Sequence, residues 1–97
     1  MTPNQKRIFD AVNACLWDGI SDRRYKPQYL CYAAQDAYEG DAISFKEYVT
    51  LKGVICLRLG KFERLDDWAH YQGFHGSDIE FQAYRKRWLE ALVIELF

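Results

Sequence analysis

Apolar residues recur at helical spacing through most of the chain, and the gaps between the runs carry stop and start signals. Ile8, Phe9, Val12, Cys15 and Leu16 share one side of a helical period, as expected of a helix with one buried face. Thr2-Pro3 supplies an N-cap followed by proline at the first helical position, where the absent N–H is no loss. Gly19 offers a left-handed stop, so a first helix is expected over about residues 3–18. The polar stretch GISDRRYKP leads to a second helix at about 28–39, whose Leu30, Ala33, Ala34 and Ala37 form a small-residue face that lets a neighbour approach closely. Gly40 is its expected end.

Ser44 and Glu47 have the spacing of a capping box and open a third helix that runs to Leu59 and stops at Gly60. Phe45, Tyr48, Val49, Leu51, Val54, Ile55, Cys56, Leu57 and Leu59 cover most of its circumference. A helix apolar nearly all round is expected at the centre of a fold, with a neighbour packed over Gly53. A short helix at about 64–72 precedes the turn GFHG, and Ser77 with Glu80 repeats the capping box. The last helix carries Ile79, Phe81, Tyr84, Trp88, Leu89, Leu92, Val93 and Leu96 along one stripe. Alternating strand patterns are missing from the sequence, as are internal repeats. The fold class expected is all-α, a compact bundle of four main helices plus one short helix, forming a single domain over residues 1–97.

Composition agrees with a packed domain: 49% of residues are hydrophobic and 16% aromatic, and the formal net charge is only −1. Disordered chains have few aromatics and a large net charge. A near-neutral balance of 13 basic and 14 acidic residues also argues against a protein held to nucleic acid through many phosphates. The three cysteines, Cys15, Cys31 and Cys56, cannot all pair, lack CxxC spacing and lie in apolar helical stretches. An odd count of such thiols favours a reducing compartment. MTPNQKRIFD lacks the apolar run of a signal peptide, and no stretch is long enough to span a membrane. A cytoplasmic location and no membrane partner are expected.

Candidate chemistry is sparse. The run DAYEGDAISFKE puts Asp36 and Glu47 at the first and twelfth positions of an EF-hand-like loop, but Tyr38, Gly40 and Asp41 stand where two oxygen ligands and the obligatory glycine belong. A glycine stop, a turn and a capping box account for every residue of it. Asp66, one helical turn before His70, could converge with His70 and His75 as weak metal candidates, although HExxH and cysteines at ligand spacing are lacking. There is no GxSxG elbow and no glycine-rich phosphate loop, and Ser44 and Ser77 serve as caps. No catalytic residue, metal or cofactor is assigned, and the chain is not expected to be an enzyme.

Two clusters stand out as partner-binding surfaces. Arg23, Arg24, Tyr25, Lys26 and Tyr29 lie on or just after a loop, and arginine and tyrosine are enriched at interface hot spots. Tyr71, Phe74 and His75 surround the second turn, where Trp68 is expected to plug the core and Phe74, beside glycines, to be exposed. Arg85, Lys86 and Arg87 read as a solvated helix face or, in a nucleic-acid alternative, as phosphate contacts. A homodimer through the apolar faces of the second and third helices is a further expectation.

The run CYAAQDAYEGDAISFKEYVTLKGVICLRLG, followed by a tryptophan helix and RKRWLEALVIEL, resembles small uncharacterised helical proteins of tailed phages and prophages over most of residues 30–95. The resemblance implies no activity and no catalytic residues. It implies an accessory protein that binds a host or phage component. The function expected is therefore a non-enzymatic protein-binding module, with nucleic-acid binding and a metal- or thiol-dependent enzyme as alternatives.

Overall fold

Regular structure is entirely helical among the described residues, 1–16 and 25–97 of a computed structural model. The helices are α1 (Pro3–Cys15), α2 (Pro27–Glu39), α3 (Phe45–Leu59), α4 (Leu65–Tyr71) and α5 (Asp78–Leu96). Reciprocal capping boxes fix three of the starts: Thr2 with Gln5, Ser44 with Glu47, and Ser77 with Glu80. In each, the hydroxyl accepts an N–H from the first turn and the third side chain accepts the N–H of the cap. α1 ends earlier than expected because Leu16 turns to an extended conformation and buries its side chain in the core. Gly19 lies outside the described residues.

Two helix ends use left-handed closures. After α2 the left-handed residue is Asp41 (φ 59°), not Gly40. The N–H of Ala42 donates to the carbonyl of Ala37 at 2.9 Å, and that of Asp41 to Tyr38 at 3.0 Å, which satisfies the last carbonyls of the helix. Gly73 (φ 88°) does the same for α4, with Phe74 N–H donating to Ala69 at 2.8 Å.

The interior is assembled around α2, which packs against both α1 and α3, while α1 also packs against α5. Ile8 and Val12 of α1, Leu30, Ala33, Ala34 and Ala37 of α2, Leu51, Ile55 and Leu59 of α3, and Leu89, Leu92 and Val93 of α5 are all buried. Leu65, Trp68 and Ala69 of α4 close one end. The Cα radius of gyration is 12.7 Å, against about 12.5 Å for a compact domain of this length. No helix among the described residues is long and apolar enough to cross a membrane.

The expectation of a central α3 is corrected. Only Leu51, Ile55 and Leu59 are buried along it, whereas Phe45, Val49, Cys56 and Leu57 are exposed. Nothing approaches the position a side chain would occupy at Gly53. α2 and its small residues take the middle instead, because a helix with a narrow alanine face can have neighbours on two sides. Ile79, expected on the α5 stripe, is 80% exposed at the helix start.

Arg7 joins α1 to the α2–α3 turn. Its guanidinium donates to the Ala42 carbonyl at 2.9 Å and to Glu47 Oε2 at 2.6 Å, while Glu47 Oε1 accepts the Ser44 N–H at 2.8 Å. Burial alone would raise the Glu47 carboxyl, but the bonds from Arg7 and Ser44, with the charge of Arg7, outweigh it and hold the group below the usual carboxylate range. Both oxygens are thereby occupied, and the EF-hand-like arrangement is not formed.

Ala34 is fully buried between helices, so Ala34→Leu should overpack the seam. A loss of about 1–3 kcal/mol in unfolding free energy, read by urea denaturation, is expected. Because Glu47 has a lowered folded pKa, its stabilisation is complete above its unfolded value and is lost as pH falls through the folded one. Denaturation midpoints should therefore drop below about pH 4, and more steeply for the wild-type chain than for Glu47→Gln.

Candidate functional site

The end of α3, the connector 60–64, α4 and α5 together build an aromatic surface. Trp68 of α4 meets Tyr84 (ring centroids 5.5 Å apart) and Trp88 (5.1 Å, edge-on) of α5. Tyr84 and Trp88 are one helical turn apart and therefore share a face of α5. Tyr71, nearly one turn beyond Trp68, lies against Phe62 of the connector at 5.6 Å. The Lys61 ammonium sits 5.3 Å from the Phe62 ring centre and 5.2 Å from that of Tyr71, within cation–π range.

These residues line a groove of about 470 Å³ whose rim carries Leu57 and Tyr71. Leu57 is 83% exposed and Tyr71 is 69% exposed. Arg58, on the same rim, holds Glu95 of α5 through a two-point ion pair, and this bond keeps the Glu95 carboxyl below its usual range. Burial pushes the Tyr84 phenol up from its ordinary range, against the opposing charge of Arg87.

The connector also reaches the other sequence cluster. Lys26 and Gln28 line a depression of about 670 Å³ together with residues 60–64, so Lys61 and Phe62 border both hollows. The Arg64 guanidinium lies 5.1 Å from the centre of the Tyr25 ring. Tyr25 in turn packs on Phe81 at 5.1 Å and donates its hydroxyl to Asp78 Oδ1 at 2.5 Å. Residues 25–28 and 68–72, distant in sequence, thus border one surface with the connector between them.

Several candidate residues sit differently from expectation. Lys26 and His75 are exposed, but Tyr25 and Tyr29 are half-buried and pack against the core. Arg23 and Arg24 lie outside the described residues. Phe74 is half-buried, not exposed. Its ring stacks on Tyr84 at 4.7 Å, an inward fold that Gly76 permits, since a Cβ there would collide with the Phe74 ring.

Arg85 is a further correction. It is only 3% exposed and cannot form a phosphate-contacting stripe with Lys86 and Arg87, which are exposed. The spacing Phe81, Arg85, Leu89 puts all three on the buried face of α5. His70 and His75 do come together, with their Nδ1 atoms 3.2 Å apart. Asp66 does not join them as a third ligand: its Oδ1 accepts from Arg64 at 3.2 Å and from the Asp67 N–H at 3.0 Å. Among the described residues no group of three histidine, cysteine, aspartate or glutamate side chains is placed to hold a metal ion.

The sequence did not point to Leu57, Arg58, Lys61, Phe62, Tyr84 and Trp88 as binding residues, and Leu57, Tyr84 and Trp88 were read there only as apolar helix positions. Their signal was present only as an apolar residue at the solvent-facing end of α3 and an aromatic pair one turn apart on α5. No protein-family model, curated protein or solved structure matches this chain.

Proposed function

We propose that the chain is a non-enzymatic protein-binding module, an accessory or inhibitor protein of a phage or prophage that acts in the cytoplasm on a host or phage protein. The observation that carries this reading is the joined surface around residues 60–64, where exposed Leu57 and Tyr71 border aromatic side chains and Lys61. Aromatic and basic residues around an apolar anchor are the types that dominate binding energy at interfaces. Beneath the groove Trp68 packs against both Tyr84 and Trp88, and side chains already packed lose less ordering entropy on binding. A complementary segment would present an apolar side chain to the groove and a carboxylate to Lys61. Seating it would block or recruit the partner.

The nucleic-acid alternative loses its central residue with the burial of Arg85, leaving Lys86 and Arg87 on that face. The tests of the two readings are separable. Immobilised wild-type chain should retain a specific partner protein, with an affinity at least about tenfold weaker for Leu57→Glu and for Tyr71→Ala. Both side chains are exposed, so thermal midpoints should stay near wild type. The double variant Lys86→Ala/Arg87→Ala should bind that partner normally. If it alone loses binding, and if affinity for duplex DNA or RNA falls steeply between low and moderate salt, the chain binds nucleic acid instead.

A further inference from the structure

α2 and α3 form a helical hairpin with different contacts at its two ends. Near the turn, Tyr38 stacks on Tyr48 at 5.5 Å and touches Phe45 at 5.6 Å. At the open end the contact is between thiols: Cys31 Sγ and Cys56 Sγ lie 3.9 Å apart, although 25 residues separate them in sequence. Cys56 is exposed and Cys31 is half-buried. We propose that Cys31 and Cys56 are a dithiol site that a small-molecule disulfide converts to an intramolecular disulfide, with Cys56 as the entry thiol and Cys31 as the resolving one.

Position assigns the order. A reagent from solvent reaches the exposed Cys56 sulfur first, whereas Cys31 is screened by its helix neighbours. Burial, followed by the charge of and bond to Cys56, pushes the Cys31 thiol up to about 11. Lys52 acts in the opposite direction. In the first step Cys56 loses its proton, its sulfur bonds to one sulfur of the reagent, and the reagent's S–S bond breaks to release one thiol. In the second step Cys31 gives its proton to solvent and attacks the Cys56 sulfur, which expels the second reagent thiol. Two protein thiols are oxidised, and one reagent disulfide is reduced to two thiols.

The sulfurs start in contact, and a bond of about 2 Å requires a shift that the exposed Cys56 side chain can make. Two sulfurs without a third ligand among the described residues do not build a metal site. Cys15, on α1, is the internal control: burial, and then the charge of Asp36, raise its thiol, and it has no part in the contact. The closed bond would pin the open end of the hairpin, next to Tyr25 and Lys26 where the chain enters α2.

The test uses the full reduced chain incubated with oxidised glutathione, followed by intact-mass measurement and non-reducing peptide mapping. The expected product is lighter by two hydrogens, joins the Cys31 and Cys56 peptides, leaves Cys15 open to alkylation, and reverts with dithiothreitol. Cys31→Ser should stop at a persistent glutathione adduct on Cys56. Cys56→Ser should react at least about tenfold more slowly, because the accessible sulfur is gone. A lasting adduct on Cys56 of the wild-type chain, a link to Cys15, or a covalent dimer through Cys56 would each overturn the assignment.

Discussion

The fold depends on how closely helices can approach α2. Ala33, Ala34 and Ala37 give that helix a face with almost no side-chain bulk, and Leu30 anchors its first half. With so little volume between axes, α1 and α3 can both lie against it, and the larger side chains of α1 and α5 fill the remaining space. Interiors packed to this density leave no room for an added branch, so the small residues act as a constraint on the whole arrangement. The Arg7–Glu47 pair then ties α1 to the start of α3, which fixes the hairpin turn against the first helix.

Placing α2 in the middle has a consequence for α3. Its apolar residues exceed what one interior face can use, and Phe45, Val49, Cys56 and Leu57 are left facing outward. At the helix end this surplus becomes useful. Leu57 borders the groove that Phe62, Trp68, Tyr71, Tyr84 and Trp88 line, and Cys56 faces the thiol of α2. The same misfit between pattern and burial therefore generates both surfaces with chemical interest.

The proposed binding surface and the thiol pair are each built from segments far apart along the chain. Connector 60–64 brings the start of α2 beside the aromatic turn, and the α2–α3 hairpin brings Cys31 to Cys56. Neither juxtaposition is encoded as a local motif. The aromatic residues also divide their roles by depth: Trp68 and Phe74 pack at the end of the core, while Tyr71 meets solvent beside the aliphatic Leu57.

Helix identity and most helix starts were legible because capping boxes and the helical period are local: Ser44 with Glu47 and Ser77 with Glu80 need only a few residues to act. The alanine face of α2 was legible for the same reason. Which apolar face would be covered was not, since α3 reads as central when its neighbours are unknown. Arg85 lay on a buried period beside Phe81 and Leu89, but its charge masked that placement. Phe74 read as exposed because its glycine neighbours suggest a loop, whereas Gly76 actually makes room for the ring to fold inward. The sequence by itself determined the elements, through short-range hydrogen bonding and periodicity. Only the tertiary structure decided exposure and convergence, because those depend on which helices compete for a single interior.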